Sequence, residues 1–305
     1  MHYPIVMFGN KETTRYMLEF IHNQVHPIDL IVTVADDKKS TISGYTDLQA
    51  CAKKLGVPVY IVSSYSLKDK KDVEFFTNHS FDLGISVGWQ RIIPAEILAQ
   101  FKTGLFGFHG SAGHLPFGKG RSPLNWSLIK GHTRFINHCF QYSSKPDDGK
   151  IFSTEMFEIN QFDTIQTLQY KVLLVGKKQL RQLIESYQNG KVKLFSQSKN
   201  HTTWYPKRTP DDGKIDITAS TNEIYNLIRG VSHPFPGAFL LSVDQKKLFI
   251  WEAYPFDQLI DTFDFWVGEV IEMFGKDAVV KTIDGSILIK KYTFEREIKK
   301  GDLFH

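Results

Sequence analysis

The stretch GFHGSAGHLPFGKGRSPLNW, residues 107–126, decides the fold of this chain of 305 residues. It ends an apolar strand near His109, passes through a glycine-dense loop and restarts as a helix after Pro123. Further along, Pro146-Asp147-Asp148-Gly149 predicts a turn with two carboxylates. An imidazole at a strand end, together with a later acidic turn, provides groups for proton transfer. A core histidine and an ordinary surface turn are the alternative that these two fragments leave open.

Short apolar runs alternate with helical patterns on the N-terminal side of this stretch. Predicted strands are Ile5–Phe8, Leu30–Val34, Val57–Val62, Leu83–Val87 and Gly104–Phe108, with helices around 16–21, 46–55, 69–78 and 95–102. Near-continuous apolar strands between helices indicate a parallel sheet covered on both faces, as in a Rossmann-like α/β domain. Ligands of such folds lie at the carboxyl ends of the strands, where Gly88–Arg91 and His109–Gly110 would line one crevice.

The C-terminal part has a different pattern. A helix is predicted over 163–190, a strand over 191–197, and a polar, turn-rich linker over 200–216. A short helix over 221–231 then precedes strand-like runs at 239–243, 248–253, 278–283 and 286–291, the last two joined at Asp284-Gly285. We therefore expect a catalytic domain at 1–199, a linker at 200–216 and a smaller, mostly-β domain at 217–305.

Composition narrows the class of protein. The net charge of +4 comes from basic residues scattered among acidic ones, which fits an anionic small substrate and argues against nucleic-acid binding. Two cysteines are too few for a disulfide framework or a thiolate metal site. The N-terminus lacks a signal-peptide pattern and no apolar run reaches membrane-span length, so we expect a cytoplasmic protein without a membrane partner.

Several motifs can be tested and set aside. Residues 113–119 nearly match a phosphate-binding P-loop, but Gly120 stands where the motif needs a serine or threonine hydroxyl for magnesium. The chain contains neither HExxH nor GxGxxG. His109, His114, His132 and His138 are close in sequence, but their spacing does not converge and acidic partners are few, so we expect no metal site.

Several blocks, in order along the chain, carry a resemblance to the folate-dependent formyltransferases. The chain is similar to the sugar-nucleotide branch, which includes the UDP-4-amino-arabinose formyltransferases, and also to methionyl-tRNA formyltransferases. The matching blocks are Ser86–Pro94, His109–Ser111, Leu115-Pro116, Gly120–Trp126, Asp147–Gly149, Arg208–Asp212, Ile228–Gly230 and Pro234–Phe239.

The resemblance implies that a formyl group moves from N10-formyltetrahydrofolate, the co-substrate, to an amine. The acceptor implied is a nucleotide-linked amino-deoxysugar, with UDP or dTDP, used in surface polysaccharide synthesis. The implied fold is a Rossmann-like domain followed by an OB-like barrel. By residue match His109 and Asp147 are catalytic, and the folate contacts are Arg91, Ile92, Ile93, Arg121, Ser143, Ser144, Lys145, Pro146 and Asp147.

Two departures from the family pattern concern the site. Gly107 replaces an asparagine that would supply an oxyanion donor, and the loop after His109 is longer, with Ala112-Gly113-His114 inserted where leucines are common. A backbone amide of this loop or His114 would be a substitute donor. Alternatively the site is impaired, or it works with His109 and Asp147 alone. Trp89 and Trp126 follow the same strand ends, where stacking on a ligand and plain packing are both open.

Three readings of function follow. The leading one is the sugar-nucleotide formyltransferase; the second is a methionyl-tRNA formyltransferase, for which Lys38-Lys39 and Lys53-Lys54 are the basic residues available. The third is a folate- or nucleotide-binding protein without turnover. Family members of this kind are often homodimers through the C-terminal domain, so exposure of Phe263, Phe265 and Trp266 bears on the oligomeric state.

Overall fold

The computed structural model describes residues 1–37, 42, 44–198 and 202–305. Lys38-Lys39 and the predicted domain boundary at residues 199–200 lie outside the described residues. The chain divides into two compact units. The first comprises residues 1–120, 136–157 and 171–204, and the second comprises 121–135, 158–170 and 205–305. Among the helices in the described ranges, none has the length and apolarity needed to cross a membrane.

A seven-stranded, mostly parallel sheet forms the centre of the first unit. In spatial order its strands are β3 (Val59–Ile61), β2 (Leu30–Thr33), β1 (His2–Phe8), β4 (Ser80–Ser86), β5 (Phe101–Ser111), β7 (Arg134–Gln141) and β8 (Ile151–Glu158). The first five are parallel, whereas β7 runs antiparallel to β5. The predicted α/β class is therefore confirmed, with an antiparallel extension at one edge.

Helices cover both faces of this sheet. They are α1 (Glu12–Gln24), α2 (Gln49–Leu55), α3 (Lys70–Thr77), α4 (Ala95–Leu98) and α6 (Ile165–Gln188). Successive strand residues point to opposite faces, so Ile5 and Met7 pack in one cluster with apolar residues of α1, α2 and α6. Val6 and Phe8 pack in the other cluster with residues of α3 and α4. This two-sided burial explains why the strands read as continuous apolar runs.

Strand order reverses at β1, which has β2 on one side and β4 on the other. Ligands of open α/β sheets bind beside such a reversal, at the carboxyl ends of the strands. The register pairs Ile85 of β4 with Phe106 of β5, which puts Ser86 and Gly107 at the same level. Because β5 continues to Ser111, His109 lies beyond the last residue of β4.

The second unit contains a five-stranded antiparallel sheet. Its spatial order is β10 (Ala238–Leu241), β11 (Lys247–Asp257), β14 (Gly285–Thr293), β13 (Asp277–Thr282) and β12 (Val270–Phe274). Helix α7 (Thr221–Val231) packs on it, and helix α5 (Pro123–Ile129) packs on α7. The Asn125 side-chain amide donates to the Gly230 carbonyl at 2.8 Å. The smaller, mostly-β C-terminal domain is confirmed, but the addition of α5 to its unit was not predicted.

Some predicted elements were wrong or missing. The strand over 191–197 is reduced to one antiparallel bridge between Phe195 and Ile151, the first residue of β8. Helix α4 ends at Leu98, short of the predicted 102, because β5 begins at Phe101. Strands β7 and β8 were missed, as was the ribbon of β6 (Lys119–Gly120) with β9 (Trp204–Tyr205).

Candidate active site

His109 lies near the end of β5 and is 8% exposed. The loop after it folds back toward its ring, because the buried Ser111 hydroxyl lies 2.8 Å from the carbonyl oxygens of both Gly113 and Phe117. The returning chain places the Gly118 carbonyl oxygen 2.8 Å from His109 Nε2. The longer loop of this chain thus supplies a fixed acceptor for one ring nitrogen.

Asp147 faces the other nitrogen of the same ring. His109 Nδ1 lies 3.4 Å from Asp147 Oδ1, and Asp147 Oδ2 accepts the Gly120 N–H at 3.0 Å. Asp147 adopts the left-handed conformation, with φ of 52°, which aspartate tolerates better than most residues. Both ring nitrogens therefore face acceptors, an arrangement that matches the two N–H donors of a protonated imidazole.

The neighbouring carboxylate has a separate role. Asp148 Oδ1 lies 2.6 Å from Lys119 Nζ, and the Lys119 side chain is only 5% exposed. This ammonium group lowers the pKa of Asp148. The carboxylates of Asp147 and Asp148 thus point to different partners, and Asp147 is the one that contacts His109.

Contacts to backbone atoms hold the turn that carries both carboxylates. A Cβ at Gly149 would lie 1.5 Å from the Gln141 carbonyl oxygen, so only glycine fits. The Gln197 side-chain amide donates to the carbonyls of Asp147 and Gly149 at 2.8 and 2.9 Å. The acidic turn is held over the face of β5 that carries His109, which is how two segments distant in sequence meet.

His138 supports the site from the adjacent strand. It pairs with His109 across β5 and β7, and its side chain is fully buried. Its Nδ1 lies 3.2 Å from the His109 carbonyl oxygen, and its Nε2 accepts the Leu115 N–H at 3.4 Å. Burial lowers the pKa of His138 to about 4, so the ring is neutral at pH 7. In the part of the chain that the structure describes, no group of three His, Cys, Asp or Glu residues could hold a metal ion.

The space beside Gly107 is occupied by Tyr142. A Cβ at position 107 would lie 2.2 Å from the Tyr142 hydroxyl oxygen, so an asparagine there would collide with the tyrosine ring. Tyr142 and Lys119 were not predicted as site residues, and His138 was considered only as one of four clustered histidines. A weak signal existed for the tyrosine, because a glycine inside a strand often marks the close approach of another group.

The predicted folate residues occupy two segments of the first unit. After β4, Arg91 is exposed with its guanidinium 4.8 Å from the Tyr65 ring centroid, Ile92 is exposed and Ile93 is buried. After β7, the Ser143 hydroxyl donates to the Lys145 carbonyl at 3.0 Å, and Ser144, Lys145 and Pro146 are exposed. The remaining residue, Arg121, is exposed in the second unit, where its N–H donates to the Tyr205 carbonyl at 3.0 Å.

The two tryptophans raised as candidate stacking platforms both make packing contacts. Trp89 is buried and meets Phe8 and Tyr65 edge to face. Trp126 stacks on Tyr205 with ring centroids 6.0 Å apart, and its indole N–H donates to the Pro206 carbonyl at 3.1 Å. These contacts account for the positions of both indoles.

A cavity of about 150 Å³ lies within the second unit. Its lining includes the polar residues Ser122, Asn125, Arg208 and Thr209 and the apolar residues Phe235 and Pro236. The Arg208 guanidinium lies 5.1 Å from the Trp126 ring centroid and donates to the Asp212 carbonyl at 2.6 Å. Residues of the blocks recognised at 120–126, 208–212 and 234–239 therefore line one cavity of mixed polar and apolar character.

Family models match both parts of the chain. The model for "Formyl transferase" matches residues 4–184, and the model for "Formyl transferase, C-terminal domain" matches residues 207–301. Among curated proteins, the bifunctional polymyxin resistance protein ArnA of Wigglesworthia glossinidia brevipalpis is 30% identical over 223 residues, 73% of this chain. The aligned region is 33% of the ArnA length, so this chain spans about a third of that relative.

Solved structures show the same fold over nearly the whole chain. An N-formyltransferase from Helicobacter canadensis, in complex with folinic acid and dTDP-3-aminofucose, superposes with a TM-score of 0.69 at 20% identity, covering 95% of this chain and all of that one. HypX from Aquifex aeolicus superposes with a TM-score of 0.68 at 16% identity, covering 97% of this chain and 45% of HypX. The first family model alone covers more than half of the sequence. With His109 and Asp147 paired in the first unit and both domain models matched in order, the chain belongs to the formyl transferase family.

Proposed function

We propose that this protein is an N-formyltransferase that moves a formyl group from N10-formyltetrahydrofolate to the amine of a nucleotide-linked amino-deoxysugar. The observation that carries the proposal is the His109–Asp147 pair, with a ring nitrogen 3.4 Å from the carboxylate. His109 lies on β5, the strand that extends past the end of β4, at the edge of the sheet where α/β folds bind small molecules. Family membership supplies the reaction class.

The residues of the pair have complementary tasks. Acyl transfer to an amine needs a proton delivered to the departing nitrogen and a proton removed from the attacking one. His109 holds the proton for the departing folate nitrogen, since both of its ring nitrogens face acceptors. Asp147 orients the ring and receives the proton of the amine, directly or through water. The loop residue Gly118 keeps the ring fixed during both steps.

A folate fits the segments that border this pair. Exposed Ile92 offers an apolar surface beside the carboxyl end of β4, and the neighbouring Arg91 offers a cation. Flat heteroaromatic ligands bind to such mixed apolar and polar surfaces. We therefore keep Arg91–Ile93, Arg121 and Ser143–Asp147 as the proposed folate contacts.

A nucleotide-linked sugar is the acceptor that the second unit supports. Ser122, Asn125 and Arg208 give the cavity hydroxyl, amide and guanidinium groups, which suit phosphate oxygens and a base edge. The Helicobacter canadensis neighbour holds a dTDP-linked amino sugar. We propose UDP or dTDP as the nucleotide, and surface polysaccharide synthesis, such as that of lipopolysaccharide O-antigen, as the use of the product.

We also propose that the protein works as a homodimer through its second unit. The segment 259–266 exposes several large apolar side chains, with Leu259 94%, Phe263 93% and Trp266 76% exposed. Phe265 is partly buried. Clusters of exposed apolar side chains on a protein surface mark interaction sites. A second copy of this chain would bury these side chains away from water.

Mass spectrometry of reaction mixtures tests the activity. Purified protein is incubated with N10-formyltetrahydrofolate and a panel of UDP- and dTDP-linked amino sugars, and we expect one sugar to gain one formyl group. The product should vanish with His109→Ala. Formylation of methionyl-tRNA without any sugar product would overturn the acceptor class. No product with any amine, while folate still binds, would make this a binding protein without turnover.

A further inference from the structure

Gly107 and His109 project toward the same face of the sheet. They are two residues apart on β5, and alternate strand residues share a face. Phe106 and Phe108 lie on the opposite face, where they pack with the α1 and α6 cluster. Two positions of this spacing are about 6.6 Å apart along a strand, so a group that fills the space beside Gly107 is a neighbour of the His109 ring.

The Tyr142 hydroxyl fills that space. A Cβ at Gly107 would lie 2.2 Å from the Tyr142 hydroxyl oxygen and 2.4 Å from two of its ring carbons. The tyrosine is fixed there, because its N–H donates to the Leu105 carbonyl at 2.7 Å and its ring packs against Phe140 with centroids 5.2 Å apart. Gly107 is therefore the residue that admits this hydroxyl to the site.

Tyr142 keeps its proton at neutral pH. Burial raises its pKa to about 12; the Ser86 side chain acts against this rise, and the negative charge of Asp147 adds a smaller contribution to it. A neutral phenol in such a place is a hydrogen-bond donor.

We propose that Tyr142 donates its hydroxyl hydrogen bond to the formyl oxygen during transfer, in the place of the asparagine side chain that Gly107 lacks. This inference rests on the proposed formyl transfer. It restores the oxyanion donor that the sequence lacks at position 107, and it makes the glycine a requirement of the site rather than a defect.

The transfer step balances without any further reactant. The amine nitrogen forms a bond to the formyl carbon, and the electron pair of the C=O double bond moves to the oxygen, where the Tyr142 O–H stabilises the negative charge. When the double bond re-forms, the bond from carbon to the folate nitrogen breaks. That nitrogen takes the proton of His109, and the amine loses one proton to Asp147. Tyr142 keeps its own proton throughout.

Three other polar side chains of this region are already engaged. The Ser111 hydroxyl is held by the Gly113 and Phe117 carbonyls. Lys119 is paired with Asp148 at 2.6 Å. His114, offered by sequence as a substitute donor, is exposed and its ring meets the His138 ring with centroids 5.7 Å apart. Tyr142 is the donor for which the structure shows a position beside His109.

Tyr142→Phe tests the inference, since it removes the hydroxyl and keeps the ring. Loss of one oxyanion donor lowers kcat by roughly 10²-fold, and we expect that loss with little change in KM. Tyr187→Phe is the matched control, because the Tyr187 hydroxyl is bonded to Asp82 at 2.9 Å, its pKa is also raised to about 12, and it lies near the opposite end of β4. The control should keep wild-type kcat.

A binding measurement gives a second readout that does not depend on turnover. Two folate analogues are compared by calorimetry. The first is 5-formyltetrahydrofolate, whose formyl group is planar. The second carries an aldehyde in place of the N10-formyl group, and this aldehyde hydrates to a tetrahedral diol. Tyr142→Phe should bind the planar ligand as the wild type does and lose roughly 10²-fold in affinity for the diol. Equal affinity of both proteins for the diol would overturn the inference.

The glycine supplies a third arm. Gly107→Ala should lower kcat because its Cβ displaces the tyrosine, whereas in a Tyr142→Ala background the same change should have no further effect. Gly107→Asn with Tyr142→Ala should recover part of the lost rate. An active wild type with an unimpaired Tyr142→Phe variant would refute the role of Tyr142 and leave the proposed function intact. An inactive wild type would refute the proposed function, and the diol affinity would still decide the role of Tyr142.

Discussion

The two adjacent carboxylates, Asp147 and Asp148, have different partners and therefore different roles in the site. Sequence alone leaves open which of them meets the histidine, since a shift of one residue exchanges them. The structure separates them by backbone conformation: Asp147 faces His109 and the Gly120 N–H, and Asp148 pairs with the nearly buried Lys119. We therefore expect substitution of Asp147 to lower activity and substitution of Asp148 to lower stability.

Asp147→Asn should lower kcat by 10²–10⁴-fold, the range for a lost acid–base group, because the amide neither holds a protonated ring nor accepts the amine proton. The amide oxygen of the asparagine can take the place of Asp147 Oδ2 and accept the Gly120 N–H, so the melting temperature should change little. Asp148→Asn should keep most of its kcat but lose roughly 1–3 kcal/mol of stability, since Lys119 is left without its counter-ion. Steady-state kinetics and thermal melts of both variants check this, and equal rate losses would refute the division.

The buried His138 predicts a pH dependence of stability. Its pKa is about 4 in the folded protein against 6.5 ordinarily. As pH falls below about 6.5, the unfolded chain takes up a proton that the folded protein does not bind, so the free energy of unfolding falls between pH 6.5 and 4 by roughly 3 kcal/mol. Urea unfolding at pH 7 and pH 4.5 measures the change.

His138→Phe is the comparison for that measurement. The variant should be less stable at pH 7, because the Leu115 N–H loses its acceptor. It should nevertheless lose less stability than the wild type on going to pH 4.5. An identical pH dependence in both proteins would show that other groups cause the acid sensitivity.

At the scale of elements, sequence patterns predicted the strands well where apolar residues are buried on both faces. The strands β1, β2 and β4 are apolar on both faces. Their carboxyl ends were predicted to within one residue, whereas β1 and β4 begin three residues before their predicted starts. Strand β7 was missed because Asn137 and His138 interrupt its apolar pattern, although both are buried and satisfied by tertiary partners: Gln179 for the amide and His109 and Leu115 for the imidazole. Such partners are invisible in a single sequence.

The residues of the site likewise separate into those that the sequence could predict and those that it could not. His109 and Asp147 could be chosen because a family motif labels them, and the structure brings their side chains together. Tyr142 could not, since its role depends on a non-local approach to Gly107 through the pairing of β5 with β7. The longer loop was read as a source of donors, but its carbonyl at Gly118 is an acceptor for His109.

The loop after β5 carries a prediction of its own. Ser111→Ala removes the buried hydroxyl that contacts the Gly113 and Phe117 carbonyls, and leaves those carbonyls without that partner. We expect a loss of roughly 1–3 kcal/mol in stability. We also expect about a tenfold fall in kcat, since the Gly118 contact to His109 loosens. Ser143→Ala, whose hydroxyl bonds a partly exposed turn, serves as the stability control and should change the melting temperature little.

At the scale of the whole molecule, the two units carry different parts of the proposed reaction. The His109–Asp147 pair belongs to the first unit, and the cavity lined by Arg208 belongs to the second. The second unit also carries the exposed apolar segment 259–266.

The dimer proposal predicts a change of mass in solution. The wild type should elute as a dimer in size-exclusion chromatography with light scattering, and Phe263→Ser with Trp266→Ser should convert it to a monomer with an unchanged circular dichroism spectrum. Replacing exposed Phe162 and Leu174 by serine, on other segments, is the control and should leave the mass unchanged. A monomeric wild type would exclude the dimer.

Following the formyl carbon from the folate to the sugar is the most direct test of the proposed formyl transfer by His109. Wild type and His109→Asn are given folate labelled with ¹³C in the N10-formyl group together with the acceptor sugar nucleotide, and the label is followed by NMR. We expect the label on the sugar nitrogen with the wild type. With the variant we expect little product, although it should still bind 5-formyltetrahydrofolate. Label appearing as free formate, or transferred equally fast by both proteins, would contradict the account.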